Sequence, residues 1–144
     1  MGKIIVGTNG TKYKKAPTPD EIIDEAIKRK DWFSAFSNAV TYFEHWGYWR
    51  LEWYCIKENI GFRDRLKHLN VSTLIHILFL LKIIDEDTFS KIIVTIRERN
   101  RLIHPASRNS GISYRYRKDR DKATQILDDA KQCIQRIKAG VGKD

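Results

Sequence analysis

The run Arg97-Glu98-Arg99-Asn100-Arg101-Leu102-Ile103-His104-Pro105 gathers guanidinium, carboxamide and imidazole groups into one short segment. On a helix, Asn100 and His104 stand four apart on one face, Arg97 falls on that face seven residues before His104, and Arg99 flanks it. Asn100 points along the same direction as Ile93 and Ile96, so a polar side chain occupies an apolar stripe at the place where the stripe ends. Polar groups so placed need partners or a task. The purely structural alternative is a C-terminal cap, in which the cations oppose the helix dipole and the asparagine closes the core.

A second chemistry-bearing feature is the distribution of charge. The chain of 144 residues carries a formal net charge of +9. Between Arg97 and Lys122 there are nine basic residues against three acidic ones, a net of +6, while Lys3, Lys12, Lys14 and Lys15 add +4 before the first acid, Asp20. The rest of the chain is therefore about neutral. Within the basic stretch, Arg101, Arg108, Arg115, Arg117 and Lys118 are interleaved with Tyr114 and Tyr116. Arginines neutralise phosphates and aromatic faces stack on unpaired bases, so this pattern fits contact with single-stranded RNA. A solvated basic loop, or one that meets an acidic partner, is the alternative.

Other chemistries lack their residues. Neither the Walker spacing nor G-x-G-x-x-G occurs, and Gly7-Thr8-Asn9-Gly10 opens no helix. His45, His68, His76 and His104 lie on four separate segments without H-E-x-x-H or Glu-x-x-His, so no metal and no cofactor is expected. No Gly-x-Ser-x-Gly elbow is present. Cys55 and Cys133 have no C-x-x-C spacing, which argues against a disulfide framework and for a reducing, cytoplasmic setting. The apolar patch Ile4-Ile5-Val6 is too short for a signal-peptide core, and Val6 stands where myristoylation wants Ser or Thr. The longest apolar run, Leu74 to Ile84, is interrupted by His76 and Lys82 and covers about half of the ~20 residues that cross a bilayer, so no membrane span is expected.

The elements that would position these groups are helical. Residues 1–17 read as an extended arm ending at Pro17-Thr18-Pro19, residues 18–139 as one domain and 140–144 as a tail. Thr18 can cap a helix over about 19–29 with Pro19 first and Asp20 and Glu21 in its first turn. From Asp31 to about Asn59, Trp32, Ala35, Ala39, Tyr42, Trp46, Trp49 and Trp53 step by three and four, with Phe33, Phe36, Val40, Phe43 and Gly47 on an adjacent seam. Two such seams predict a central helix, or one that also meets a second subunit. Gly61 is expected to end it. A third helix over about 71–84 is apolar almost all round and so reads as interior. Asp85 can cap a fourth over 86–103, with core stripe Phe89, Ile92, Ile93, Ile96 and Ile103, stopped by Pro105. The last spans about 119–138, with Ala123, Ile126, Leu127, Ala130, Ile134 and Ile137 inward. No convincing strand or repeat emerges. The fold class is all-α: an up-and-down antiparallel bundle of four main helices plus a short leading one.

Placed at the end of such a helix, Arg99-Asn100-x-x-x-His104 resembles the signature of the HEPN superfamily (higher eukaryotes and prokaryotes nucleotide-binding): Arg, a polar residue, a short spacer and His. Arg97 to His104 fits the longer spacing of the same motif, so either arginine can be the functional one. A second match, Arg63-Asp64-Arg65-Leu66-Lys67-His68, lies in a connector and closes no apolar helix. The resemblance implies a homodimeric helical bundle and a metal-independent endoribonuclease of the toxin or defence kind, with the Arg and His of two subunits meeting in a cleft. It gives His104 proton transfer at the 2′-hydroxyl or leaving oxygen, Arg99 the phosphate charge, and Asn100 the orientation of phosphate or His104. Toxin members that pair with a nucleotidyltransferase antitoxin carry Tyr two places after the His, where this chain has Ala106. The alternative is therefore a non-catalytic subunit that partners a nucleotidyltransferase or another helical protein.

Overall fold

A computed structural model describes residues 4–6, 12–61, 63–103 and 120–142, with side chains at all of these except 4–6, 12–14 and 63–65. Its elements are β1 (Ile4–Val6), β2 (Lys12–Lys14), α1 (Pro19–Lys28), α2 (Trp32–Lys57), a 3-10 turn (Arg63–His68), α3 (Val71–Leu80), α4 (Glu86–Ile103) and α5 (Arg120–Ala139). The domain is the all-α bundle that the periodicity demands. The arm differs from its expected form: β1 and β2 pair antiparallel, Ile5 opposite Tyr13, as a two-stranded ribbon. Three β-branched residues in a row favour extended backbone, and the ribbon supplies the pairing.

Side-chain caps start the helices where Ser, Thr, Asp or Asn can reach an orphan amide. Thr18 Oγ1 accepts from the Glu21 amide at 3.2 Å, Asp31 from that of Ser34 at 3.1 Å, Asn70 from Thr73 at 2.8 Å and Asp85 from Thr88 at 2.8 Å. The Ser34 hydroxyl also donates to Asp31 at 2.6 Å, and this bond holds the Asp31 carboxyl below its ordinary pKa.

The ends are set differently from expectation. α2 stops at Lys57, ahead of Gly61: Asn59 takes the left-handed conformation at φ 57°, and the Ile60 amide donates back to the Cys55 carbonyl at 2.8 Å. The same closure recurs after α1 at Lys30 (φ 56°) and after α3 at Lys82 (φ 60°). Left-handed backbone costs a residue with a Cβ about 1–2 kcal/mol, whereas glycine pays only ~0.5–1 kcal/mol in unfolded-state entropy. Lys30→Gly is therefore expected to stabilise the domain by about 0.5–1 kcal/mol, read as a raised urea midpoint.

α2, 26 residues and about 39 Å long, is the hub: α1, α3, α4 and α5 all pack on it. Phe36, Ala39, Val40 and Phe43 are buried against Ile23 of α1, Leu74, Ile75 and Leu78 of α3, Ile92 of α4, and Leu127, Ala130 and Ile134 of α5 in one cluster. Gly47 permits close approach, since a Cβ there would sit 2.9 Å from Leu74 Cδ2. Ion pairs pin the outer seams, Lys131 to Asp24 at 2.7 Å and Arg136 to Asp87 at 2.9 Å. α3 is shorter and less interior than its composition suggests. It ends at Leu80, whose side chain is 76% exposed.

Cys55 and Cys133 are both buried. Burial pushes the Cys133 thiol from an ordinary 9.0 up to about 11. A raised acid pKa means the unfolded chain ionises first as pH rises. The stabilisation is full below pH 9 and fades as pH climbs through about 11. The stability gap between wild type and Cys133→Ala, measured by urea unfolding, is expected to narrow over that interval.

Candidate functional site

The candidate site begins on the last turns of α4. Along the helix Thr88, Ile92, Thr95, Ile96, Glu98 and Leu102 are buried. The expected stripe holds at Ile92 and Ile96, which are buried, and at Phe89 and Ile93, which pack half-buried against the core, while Asn100 and Ile103 are exposed. Asn100 does not end the core. α4 packs on both α2 and α5, and the face between those two neighbours carries Thr95, Glu98 and Leu102.

Arg99 is half-buried, and its Nε donates to Asn100 Oδ1 at 2.8 Å. That bond fixes the carboxamide oxygen on the guanidinium and leaves the Asn100 amide donors on the solvent side. Arg97 is exposed, on the Asn100 side of the helix by its three-residue spacing. Beneath the pair lies a group that sequence reading passed over. Glu98 is 7% exposed; its Oε1 accepts from Arg101 Nη1 at 3.2 Å, and its Oε2 has no hydrogen-bond partner among the described residues. Its signal was available in the sequence, because Glu98 stands three after Thr95 and four before Leu102. A buried carboxylate between cations holds Arg101 against the helix and lowers the positive field that Arg97, Arg99 and Arg101 create together.

The structure brings Arg99 to Asn100 and Arg101 to Glu98. His104, Arg108, Tyr114, Arg115, Tyr116, Arg117 and Lys118 lie outside the described residues. The second sequence match ends in the 3-10 turn Arg63–His68, off the end of α2. Among the described residues no group of three His, Cys, Asp or Glu converges as metal ligands do, and no helix is long and apolar enough to cross a membrane.

The described end of α4 therefore carries three guanidinium groups and a carboxamide around its circumference, with one carboxylate buried among them. Comparison with protein-family models, with curated proteins and with solved structures finds no match to this chain.

Proposed function

We propose that the protein is a HEPN-like RNA-binding protein that cuts RNA without a metal, as a homodimer of the toxin or defence kind. The observation that carries this reading is the Arg99–Asn100 pair at the solvent-facing end of α4, a few residues before His104. A guanidinium locked by a neighbouring amide is preorganised for phosphate, and preorganised charge stabilises a transition state at little reorganisation cost. In this reading the imidazole of His104 takes the 2′-hydroxyl proton and returns one to the 5′ leaving oxygen. The attacking 2′-oxygen bonds to phosphorus as the P–O5′ bond breaks, so the products are a 2′,3′-cyclic phosphate and a 5′-hydroxyl. The basic segment through Lys122 supplies the charge that draws the strand in.

The test is incubation of purified protein with a mixed-sequence RNA in EDTA, with analysis of the product ends. Cyclic phosphates are expected. Intact RNA at high enzyme concentration would overturn the nuclease reading.

Self-association has its own support. Trp49 and Ile56, seven apart on one face of α2, are 49% and 48% exposed, and Ile60 just past the end of the helix is 38% exposed. A second copy covering that face would bury Trp49, Ile56 and Ile60 together. Trp49→Glu with Ile56→Glu is expected to shift sedimentation from dimer to monomer; a wild-type chain that sediments as a monomer at micromolar concentration removes the homodimer. The same face favours a second reading, the non-catalytic subunit whose exposed face a nucleotidyltransferase or another helical protein covers. An RNA-inert, monomeric wild type is its signature.

A further inference from the structure

At the opposite end of the bundle from the Arg99–Asn100 pair, the C-terminal ends of α2, α3 and α5 come together around Arg50. Its Nη1 donates to the Ile137 carbonyl at 3.2 Å and its Nη2 to the Ile83 carbonyl at 3.3 Å. Gly140 lies directly under the guanidinium, where a Cβ would sit 1.8 Å from Nη1. Arg50 is thus a fixed, half-buried cation, with donors left over from its two carbonyl bonds. Beside it opens a cleft of about 280 Å³ whose walls include Trp53, Tyr54, Lys57, Lys82 and Ile83.

Charge in this cleft is unbalanced. Arg50, Lys57 and Lys82 line it, and among the described residues no carboxylate does. Among the described residues none of the three enters an ion pair, although Lys91, Arg101, Lys131 and Arg136 all do. Helix ends carry roughly −0.5 charge each, so three of them offset only part of three full positive charges. Like charges gathered without a counter-charge repel one another, and an anion relieves that repulsion. The fixed guanidinium presents the fork geometry that suits phosphate, and the two exposed lysines supply point charges. Trp53 adds a broad aromatic surface beside them, suited to stacking on a base. The volume falls at the small end of the ~300–1,000 Å³ range of ligand clefts, room for one small unit.

We propose that this cleft is a binding site for a single nucleoside phosphate, its phosphate on Arg50, Lys57 and Lys82 and its base against Trp53. The site stands apart from the α4 end and is independent of whether the protein cuts RNA. The phosphate can belong to a free mononucleotide or to one unit of a strand.

Calorimetric titration of the full chain with AMP, with inorganic phosphate and with an adenosine pentaribonucleotide tests it. Lys57 and Lys82 are exposed, so Lys57→Glu with Lys82→Glu keeps the fold, checked by circular dichroism, and is expected to weaken AMP binding by about a hundredfold, near tenfold per charge. Trp53→Leu is expected to weaken AMP by about tenfold and to leave inorganic phosphate unchanged. Comparable affinity for AMP and pentamer assigns a free nucleotide, whereas a pentamer that binds alone assigns a strand; the lysine variant must weaken whichever binds. Wild type that binds neither, or a lysine variant that binds as wild type does, overturns the site.

Discussion

Phe43→Ala is expected to cost about 3–5 kcal/mol, a large share of the ~5–15 kcal/mol that holds a domain of this size folded. Phe43 is fully buried near the middle of α2, the helix on which α1, α3, α4 and α5 all pack. Removing its ring deletes apolar burial and leaves a cavity that helices held from several sides close only in part. Leu80→Ala is the paired control: its side chain is 76% exposed, so its loss should stay within ~0.5 kcal/mol. Urea unfolding of both variants, with equal m-values, checks the contrast. Equal losses would mean that α3, and not α2, organises the core.

That contrast also shows what could be read from the residues beforehand. Helix starts were legible because Thr18, Asp31 and Asp85 are side chains whose oxygens cap by local chemistry. Helix ends were less so. Asn59 has a known tolerance for left-handed backbone and was overlooked in favour of Gly61, while Lys30 and Lys82 carry no such preference and are forced there by the packing of the next element. Apolar content placed α3 in the interior, yet a ten-residue helix packed on two neighbours keeps an outer side, and Leu80 lies on it. On α4 a periodicity of isoleucines drew the stripe through Asn100, whereas contact with both α2 and α5 turned Glu98 inward and left Asn100 outside. Local rules carry capping and periodicity; the rotation of a helix that serves several neighbours is a tertiary choice.

For the α4 site the arginines are the sharpest question, and its geometry separates them. His104→Ala is expected to lower metal-independent RNA cleavage by about 10²–10⁴-fold, the range for losing a positioned general acid or base, with RNA affinity nearly unchanged. Arg99, bonded to Asn100 at 2.8 Å, is the preorganised cation, so Arg99→Ala should lose about 10²–10³-fold in rate. Arg97 is exposed and makes no such bond among the described residues, so Arg97→Ala should act on binding alone, weakening affinity modestly and flattening its dependence on salt. Asn100→Ala tests the coupling. If Asn100 works by holding Arg99, its loss added to Arg99→Ala costs nothing further, whereas independent roles would multiply. Initial rates in EDTA across the four variants decide it: a His104→Ala protein that cuts at the wild-type rate removes the imidazole from the reaction, and a rate that falls with Arg97 rather than Arg99 assigns the phosphate to Arg97.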